Sequence, residues 1–285
     1  MGIKRVGIVG SGIMGSGIAE VAAKAGLEVT LRSRSDQGAQ SMVAGLEKSL
    51  AKQVEKGRLD DAERSAVQGR VRAVTDVGEL AECDLVLESI VEELAPKIEL
   101  FAELDAICGD GTILATNTST LSVKAVAEST KRPAQVCGIH FFNPATAMPL
   151  VELVRADQTS DETLAAARAF AEACGKTVVD VRDQAGFVVN ALLFPYLNNA
   201  VKLLEAGVAN RDDIDAAMKG GCNFPMGPLE LLDLVGLDTS LAIIEALYAE
   251  FEDPNYEPAP MLAGLVQDGK LGRKTGAGFY DYAKK

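Results

Sequence analysis

The segment Arg5-Val6-Gly7-Ile8-Val9-Gly10-Ser11-Gly12-Ile13-Met14-Gly15 restricts the fold more than any other stretch of the chain. A short β-branched run closes on Gly10, a helical pattern runs from Met14 to Ala25, and a second β run covers Glu28 to Arg32. Strand, glycine turn, helix and strand in that order make a βαβ unit, and the G-x-G-x-x-G spacing gives each glycine a task. Gly10 permits the tight turn, Gly12 lets the backbone approach a pyrophosphate, and Gly15 lets the helix settle on the sheet. The backbone N–H groups around Ile13 and Met14 then face an anion. The expectation is a dinucleotide cradle; the bland alternative is a set of glycines serving only a turn.

The end of the second strand bears on which dinucleotide. An acidic residue about 20 positions after the glycines normally takes the ribose 2′-hydroxyl of NAD. The sequence instead reads Leu31-Arg32-Ser33-Arg34-Ser35. A carboxylate there repels a 2′-phosphate, whereas Arg32, Ser33 and Arg34 offer hydrogen bonds and a planar guanidinium fork to one. NADP is therefore the expected cofactor. NAD is the alternative, with both arginines as solvated strand-end residues.

Beyond the first unit, β-branched runs keep alternating with helical stretches: Val71 to Val74, Asp84 to Glu88, Thr112 to Thr116, Val136 to Phe142, Leu150 to Val154 and Thr177 to Val181. Most are apolar along their whole length, as strands covered by helices on both faces are, so an α/β fold with a mostly parallel sheet is expected. The polar stretch from Asp36 to Gly69 carries Met42, Val43, Leu46, Leu50 and Val54 at helical spacing and reads as an amphipathic helix or hairpin outside the sheet. After Asp183 the pattern turns all-helical, with helices expected over Phe187 to Leu204, Asp212 to Gly220, Leu229 to Leu234, Asp238 to Glu250 and Pro260 to Asp268. With 285 residues and a junction at Gln184-Ala185-Gly186, two domains are expected, 1–184 and 185–285.

Charge and cysteine usage exclude several function classes. The chain has 28 Lys and Arg against 41 Asp and Glu, a formal charge of −13, which repels a phosphate backbone and an anionic membrane. No nucleic acid and no membrane partner is expected. A local cluster can still bind a small polyanion within a Debye length of about 8 to 10 Å. Lys48, Lys52, Lys56 and Arg58 form such a patch, which reads equally well as a solvated helix face. The five cysteines, Cys83, Cys108, Cys137, Cys174 and Cys222, show no metal-ligand or disulfide spacing, and the first residues lack an apolar leader pattern. Reduced thiols, no metal and a cytoplasmic setting are the expectations.

His140 is the one histidine in the chain, so any imidazole chemistry must use it. It ends the run Val136 to His140, and the next run begins at Pro149. If the two strands form an antiparallel pair centred on Thr146, Glu152 falls directly opposite His140, with Cβ atoms about 4.5 to 5.5 Å apart. That is a base with a carboxylate to fix its tautomer and stabilise the imidazolium. The competing reading is a structural core histidine. A polar cluster, Thr116-Asn117-Thr118-Ser119-Thr120, follows another strand at the carboxyl edge of the sheet, where ligands bind, although Ser119 or Thr120 also suits a helix N-cap. Asn190 sits near the start of an apolar helix, an uncommon place for an amide unless it serves a site.

Taken together, GIVGSGIMGSGIAEVAAKAG, LVLESIVEELAPK, ILATNTSTLSV, IHFFNPATAMPLVELV, GFVVNALLFPYLNNAV, FPMGPLELLDLVGLD and LGRKTGAGFYDY cover the chain end to end. In these stretches it resembles the short-chain 3-hydroxyacyl-CoA dehydrogenase family, on the side of the bacterial 3-hydroxybutyryl-CoA dehydrogenases. The resemblance implies a Rossmann-like domain, an all-α C-terminal domain that forms a homodimer, and reversible oxidation of a (3S)-hydroxyacyl-CoA. It implies His140 as general base with Glu152 as its partner, and Ser119 and Asn190 as hydrogen-bond donors to the substrate oxygens. It also implies Glu92, Lys97, Asn117, Asn143 and Lys274 as dinucleotide contacts and Lys52 and Lys56 as CoA contacts. Two positions depart from the family pattern: Ser33 replaces the strand-end acid, and Phe224 stands where a histidine often precedes PMGP. The rival readings are a dehydrogenase of free β-hydroxy acids, in which a lysine replaces the histidine, and a non-catalytic dinucleotide-binding protein.

Overall fold

The computed structural model describes residues 2–282. The chain divides into two compact units, Met1–Gln184 and Ala185–Lys285. The first holds one eight-stranded sheet: β1 (Arg5–Val9), β2 (Glu28–Arg32), β3 (Val71–Val74), β4 (Leu85–Glu88), β5 (Ile113–Thr116), β6 (Val136–Phe141), β7 (Leu150–Arg155) and β8 (Thr177–Arg182), in the spatial order β3-β2-β1-β4-β5-β6-β7-β8. The first six strands run parallel, β7 pairs antiparallel with β6, and β8 pairs parallel with β7. Strand order reverses about β1, which lies between β2 and β4, so the crevice beyond the carboxyl ends of β1 and β4 is where such a sheet takes a ligand.

The apolar runs form central strands because side chains alternate faces and both faces are covered. Leu85 and Leu87 enter the core shared with α1 (Ile13–Lys24), α2 (Asp36–Glu55), α3 (Asp61–Gly69) and α6 (Asp161–Ala173). Val86 between them enters the core on the other face, under α4 (Leu94–Ile107) and α5 (Val123–Ala127). The 36–69 stretch is a helical hairpin. Met42, Leu46 and Leu50 are its buried stripe, Gly57 breaks it at φ +65°, and Asp60 with Glu63 starts the second helix with a reciprocal capping box.

The second unit is helical: α7 (Val189–Glu205), α8 (Arg211–Cys222), α9 (Pro228–Val235), α10 (Leu237–Phe251) and α11 (Pro260–Gln267) surround their own core, which includes Phe194, Leu197, Leu229, Leu232 and Leu247. Buried Asp215 accepts from the backbone N–H groups of Leu229 and Glu230 and so caps α9 from a distance. Asp233 does the same for Phe279 and Tyr280, tying residues 279–282 to the helices.

Candidate active site

The glycine turn is built as a close approach of backbones. Gly10 holds φ +135°, and a Cβ there would lie 2.2 Å from the Ser89 carbonyl oxygen. A Cβ at Gly15 would lie 2.2 Å from the Gly10 oxygen, whereas nothing lies within 4 Å of one at Gly12. Only that middle glycine faces open space. Gly12 caps α1 with no side-chain bond, and the first intrahelical bond runs from the Ser16 N–H to the Gly12 oxygen. The helix itself thus supplies no acceptor for the N–H groups of Ile13, Met14 and Gly15, and its positive end meets the turn. The residues fit a dinucleotide pyrophosphate.

One pocket joins this turn to the end of β2, with Gly10, Gly12, Arg32, Ser33 and Arg34 in its wall, and no carboxylate lines it. Ser33 is 3 % exposed, and its hydroxyl accepts weakly from the Ser35 N–H at 3.4 Å. Ser35 in turn caps α2 through the Gly38 N–H. Arg32 donates from Nε to the Thr75 carbonyl at 3.3 Å, and Arg34 is exposed. The pocket wall at the ribose end is cationic and hydroxylic.

The antiparallel register of β6 and β7 pairs His140 with Glu152, and His140 Nδ1 lies 2.8 Å from Glu152 Oε2. His140 is 5 % exposed and Glu152 is fully buried, so the carboxylate fixes the ring away from competing water. Nδ1 is thus the ring nitrogen turned to the carboxylate. The Phe142 ring packs 4.5 Å from the imidazole. Asn117, just past β5, accepts the Phe141 N–H on its Oδ1 at 2.8 Å, which ties the polar loop after β5 to the strand that carries the histidine.

That polar loop is held by Glu92. Its Oε1 accepts from Thr118 Oγ1 at 2.6 Å and from the Ser119 N–H at 2.7 Å, with the Thr120 N–H at 3.2 Å. Burial alone would raise the Glu92 carboxyl, but the Lys97 ammonium and the bonds from Thr118 and Ser119 outweigh it and hold it below its usual range. Lys97, 1 % exposed, sits 3.2 Å from Glu92 Oε2 and 2.6 Å from Glu88 Oε1. Glu88 is fully buried, and its other oxygen accepts from Thr116 Oγ1 at 2.7 Å. Sequence reasoning named Glu92 and Lys97 but missed Glu88; the trace it left is a lone acid closing the apolar run Leu85-Val86-Leu87. The N-cap of α5 is Ser122 and not Ser119 or Thr120, because its hydroxyl reaches the Ala125 N–H. Ser119 stays half-buried on the loop.

The remaining expected residues fall in three places. Asn143 is exposed just after β6, on a loop that Lys176 secures by donating to the carbonyls of Ala145 and Met148 at 2.6 and 2.8 Å. Lys52 and Lys56 are exposed at the end of α2, with Lys48 and Arg58 exposed nearby. Asn190 and Lys274 belong to the second unit. Asn190 is 7 % exposed in the first turn of α7, and Lys274 pairs with Asp238 at 2.6 Å. The roles of these two rest on the family resemblance alone.

Comparison with known proteins finds likeness over both units. Residues 5–184 match the family model described as 3-hydroxyacyl-CoA dehydrogenase, NAD binding domain, and residues 186–282 match its C-terminal domain. A Mycobacterium tuberculosis protein named 3-hydroxybutyryl-CoA dehydrogenase is 46% identical over 282 residues, covering 98% of this chain and 99% of that one. The human mitochondrial hydroxyacyl-coenzyme A dehydrogenase is 41% identical over 287 residues, covering 98% and 91%. The crystal structure of (S)-3-hydroxybutyryl-CoA dehydrogenase from Ralstonia eutropha superposes with a TM-score of 0.95 at 43% identity, over 99% of this chain and 100% of that one.

Proposed function

The chain belongs to the 3-hydroxyacyl-CoA dehydrogenase family, and from that membership we propose that it interconverts (3S)-hydroxyacyl-CoA, in particular 3-hydroxybutyryl-CoA, and 3-oxoacyl-CoA. It is an oxidoreductase that uses a nicotinamide dinucleotide. The observation that carries the assignment is the sole imidazole of the chain, braced by a buried carboxylate on the carboxyl side of a dinucleotide-binding sheet.

The dinucleotide supplies a hydride acceptor in oxidation and a hydride donor in reduction. His140 takes the proton of the 3-hydroxyl on Nε2 as the C3 hydrogen leaves as hydride, and returns that proton in the reverse direction. Glu152 keeps Nδ1 protonated and stabilises the imidazolium between the two steps. Ser119 donates to the oxygen at which negative charge develops, and Asn190 is assigned to a second substrate oxygen by the resemblance. Lys52 and Lys56 supply cationic charge to the CoA phosphates.

NADP is the favoured cofactor. The support is the absence of a carboxylate among the residues walling the ribose end of the pocket, where Arg32, Ser33 and Arg34 stand. A cytoplasmic setting is supported by five free cysteines, four of them buried. No described helix is long and apolar enough to cross a membrane. A homodimer through the helical unit is supported by exposed apolar side chains there, among them Leu192 at 71 % and Val208 at 68 %.

The test is loss of reduced cofactor absorbance with acetoacetyl-CoA, run side by side with NADPH and NADH, for the unsubstituted protein and Ser33→Asp. Turnover with the thioester and a preference for NADPH that swings toward NADH in Ser33→Asp are expected. Turnover of free 3-hydroxybutyrate with none of the thioester overturns the substrate, and no swing overturns the cofactor.

A further inference from the structure

The loop that carries Ser119 hangs from a chain of charged groups that descends into the core. Glu92 accepts two backbone N–H groups of that loop and the Thr118 hydroxyl. Below it lies Lys97, and below Lys97 lies Glu88, which is also fixed by the Ile90 N–H at 2.6 Å and by Thr116 Oγ1. Thr116 closes the circuit, since its hydroxyl also accepts the Thr118 N–H at 3.2 Å. Burying the Glu88 carboxylate against the Lys97 ammonium is expensive, and replacing such a pair with packed apolar residues is often neutral or stabilising. A fold that needed only a core at the end of β4 had no use for Glu88. A fold that needs an outer carboxylate held in one orientation does: Glu92 is partly open to solvent, with a side chain 37% exposed, and on its own would sample several rotamers.

We propose that Glu88 is a positioning residue for the dehydrogenase reaction: through Lys97 it fixes the carboxylate of Glu92, and through Glu92 it sets the backbone and hydroxyl of Ser119. This rests on the function proposed above, with Ser119 as the donor to the substrate oxygen. Glu88 touches neither the substrate nor the dinucleotide in this account. Its carboxylate anchors the ammonium, and the ammonium leaves Glu92 one stable place from which to accept the loop N–H groups.

Glu88→Gln keeps the volume and can keep the bond to Thr116 while removing the nearer of the two counter-charges of Lys97. Two measurements decide the proposal. Hydrogen exchange of the 117–121 amides should rise about tenfold or more while that of β1 stays unchanged, because local opening is governed by local contacts. With acetoacetyl-CoA, kcat should fall roughly 10- to 100-fold while KM for the thioester moves by less than about threefold, as displacement of one donor implies. In a Ser119→Ala background the same substitution should add little, because groups acting through one another are non-additive. The proposal is overturned if exchange in 117–121 stays at the unsubstituted level, if exchange rises equally across the sheet, or if the kcat losses multiply in full. Should Glu88→Gln fail to fold, Glu88→Gln with Lys97→Met removes the pair together, and a loop that stays protected there is equally fatal. The exchange readout needs no substrate, so an inactive unsubstituted protein would refute the function without deciding the role of Glu88.

Discussion

At the scale of the residue, the proposed chemistry turns on one hydrogen bond, between His140 Nδ1 and Glu152 Oε2. His140→Gln keeps a side chain of similar length but not the basic nitrogen, and should lower kcat by about 10² to 10⁴ with little change in melting temperature. Steady-state rates with either reduced cofactor check this, and near-normal turnover removes His140 from the reaction. The pairing with Glu152 was legible in the sequence because two strands joined by a short loop have a fixed register, and positions equidistant from its centre face each other. Glu88 was not legible, because an acid after Leu85-Val86-Leu87 reads as the strand leaving the core, and Lys97 reaches it only through the folding of α4 over β4. Asn117 was read as a cofactor contact; that its Oδ1 also accepts the Phe141 N–H left no mark in the sequence. Glu92 also gives a pH dependence. Its carboxyl is held below its usual range when folded, so between the folded value and the unfolded value of about 4.3 the unfolded chain binds more protons and stability rises with pH. The stability difference between the unsubstituted protein and Glu92→Gln should be complete at pH 6 and shrink as pH falls through that window. Urea unfolding at several pH values checks it, and a pH-independent difference counts against the ion pair.

At the scale of the element, α1 and its turn show how little room the cradle leaves. Gly15→Ala places a methyl group 2.2 Å from the Gly10 oxygen, which neither backbone can relieve without moving α1 off the sheet. A loss of about 1 to 3 kcal/mol in stability is expected, as for other overpacked sites, with weaker dinucleotide binding. Chemical denaturation and cofactor titration measure the two, and an unchanged affinity would mean that the glycine serves packing alone. The strands and the five C-terminal helices were legible because apolar runs and helical periodicity dominate their sequences. The division of 36–69 into α2 and α3 stayed ambiguous. Its apolar stripe ends at Val54, just before the break at Gly57, and the capping pair Asp60 and Glu63 is a weaker mark than the stripe.

At the scale of the molecule, the formal charge of −13 sets the terms on which a polyanionic thioester is captured. Lys48, Lys52, Lys56 and Arg58 lie exposed along the end of one helical hairpin, so attraction is local and short-ranged. Lys52→Ala with Lys56→Ala should raise KM for acetoacetyl-CoA several-fold, leave kcat unchanged, and flatten the rise of KM with added salt, since surface charges act within about 8 to 10 Å. An unchanged KM means that these lysines are only a solvated face. The antiparallel turn of β6 into β7, on a sheet otherwise led by parallel strands, has one more consequence. Because the pleat points every second side chain the same way, a single-residue insertion within β7 before Glu152 would send that carboxylate to the opposite side. Additions to the connecting segment 143–149 carry no such penalty. Sequence drift in descendants of this chain is therefore free to lengthen the connection, while the reading frame of the two strands stays frozen.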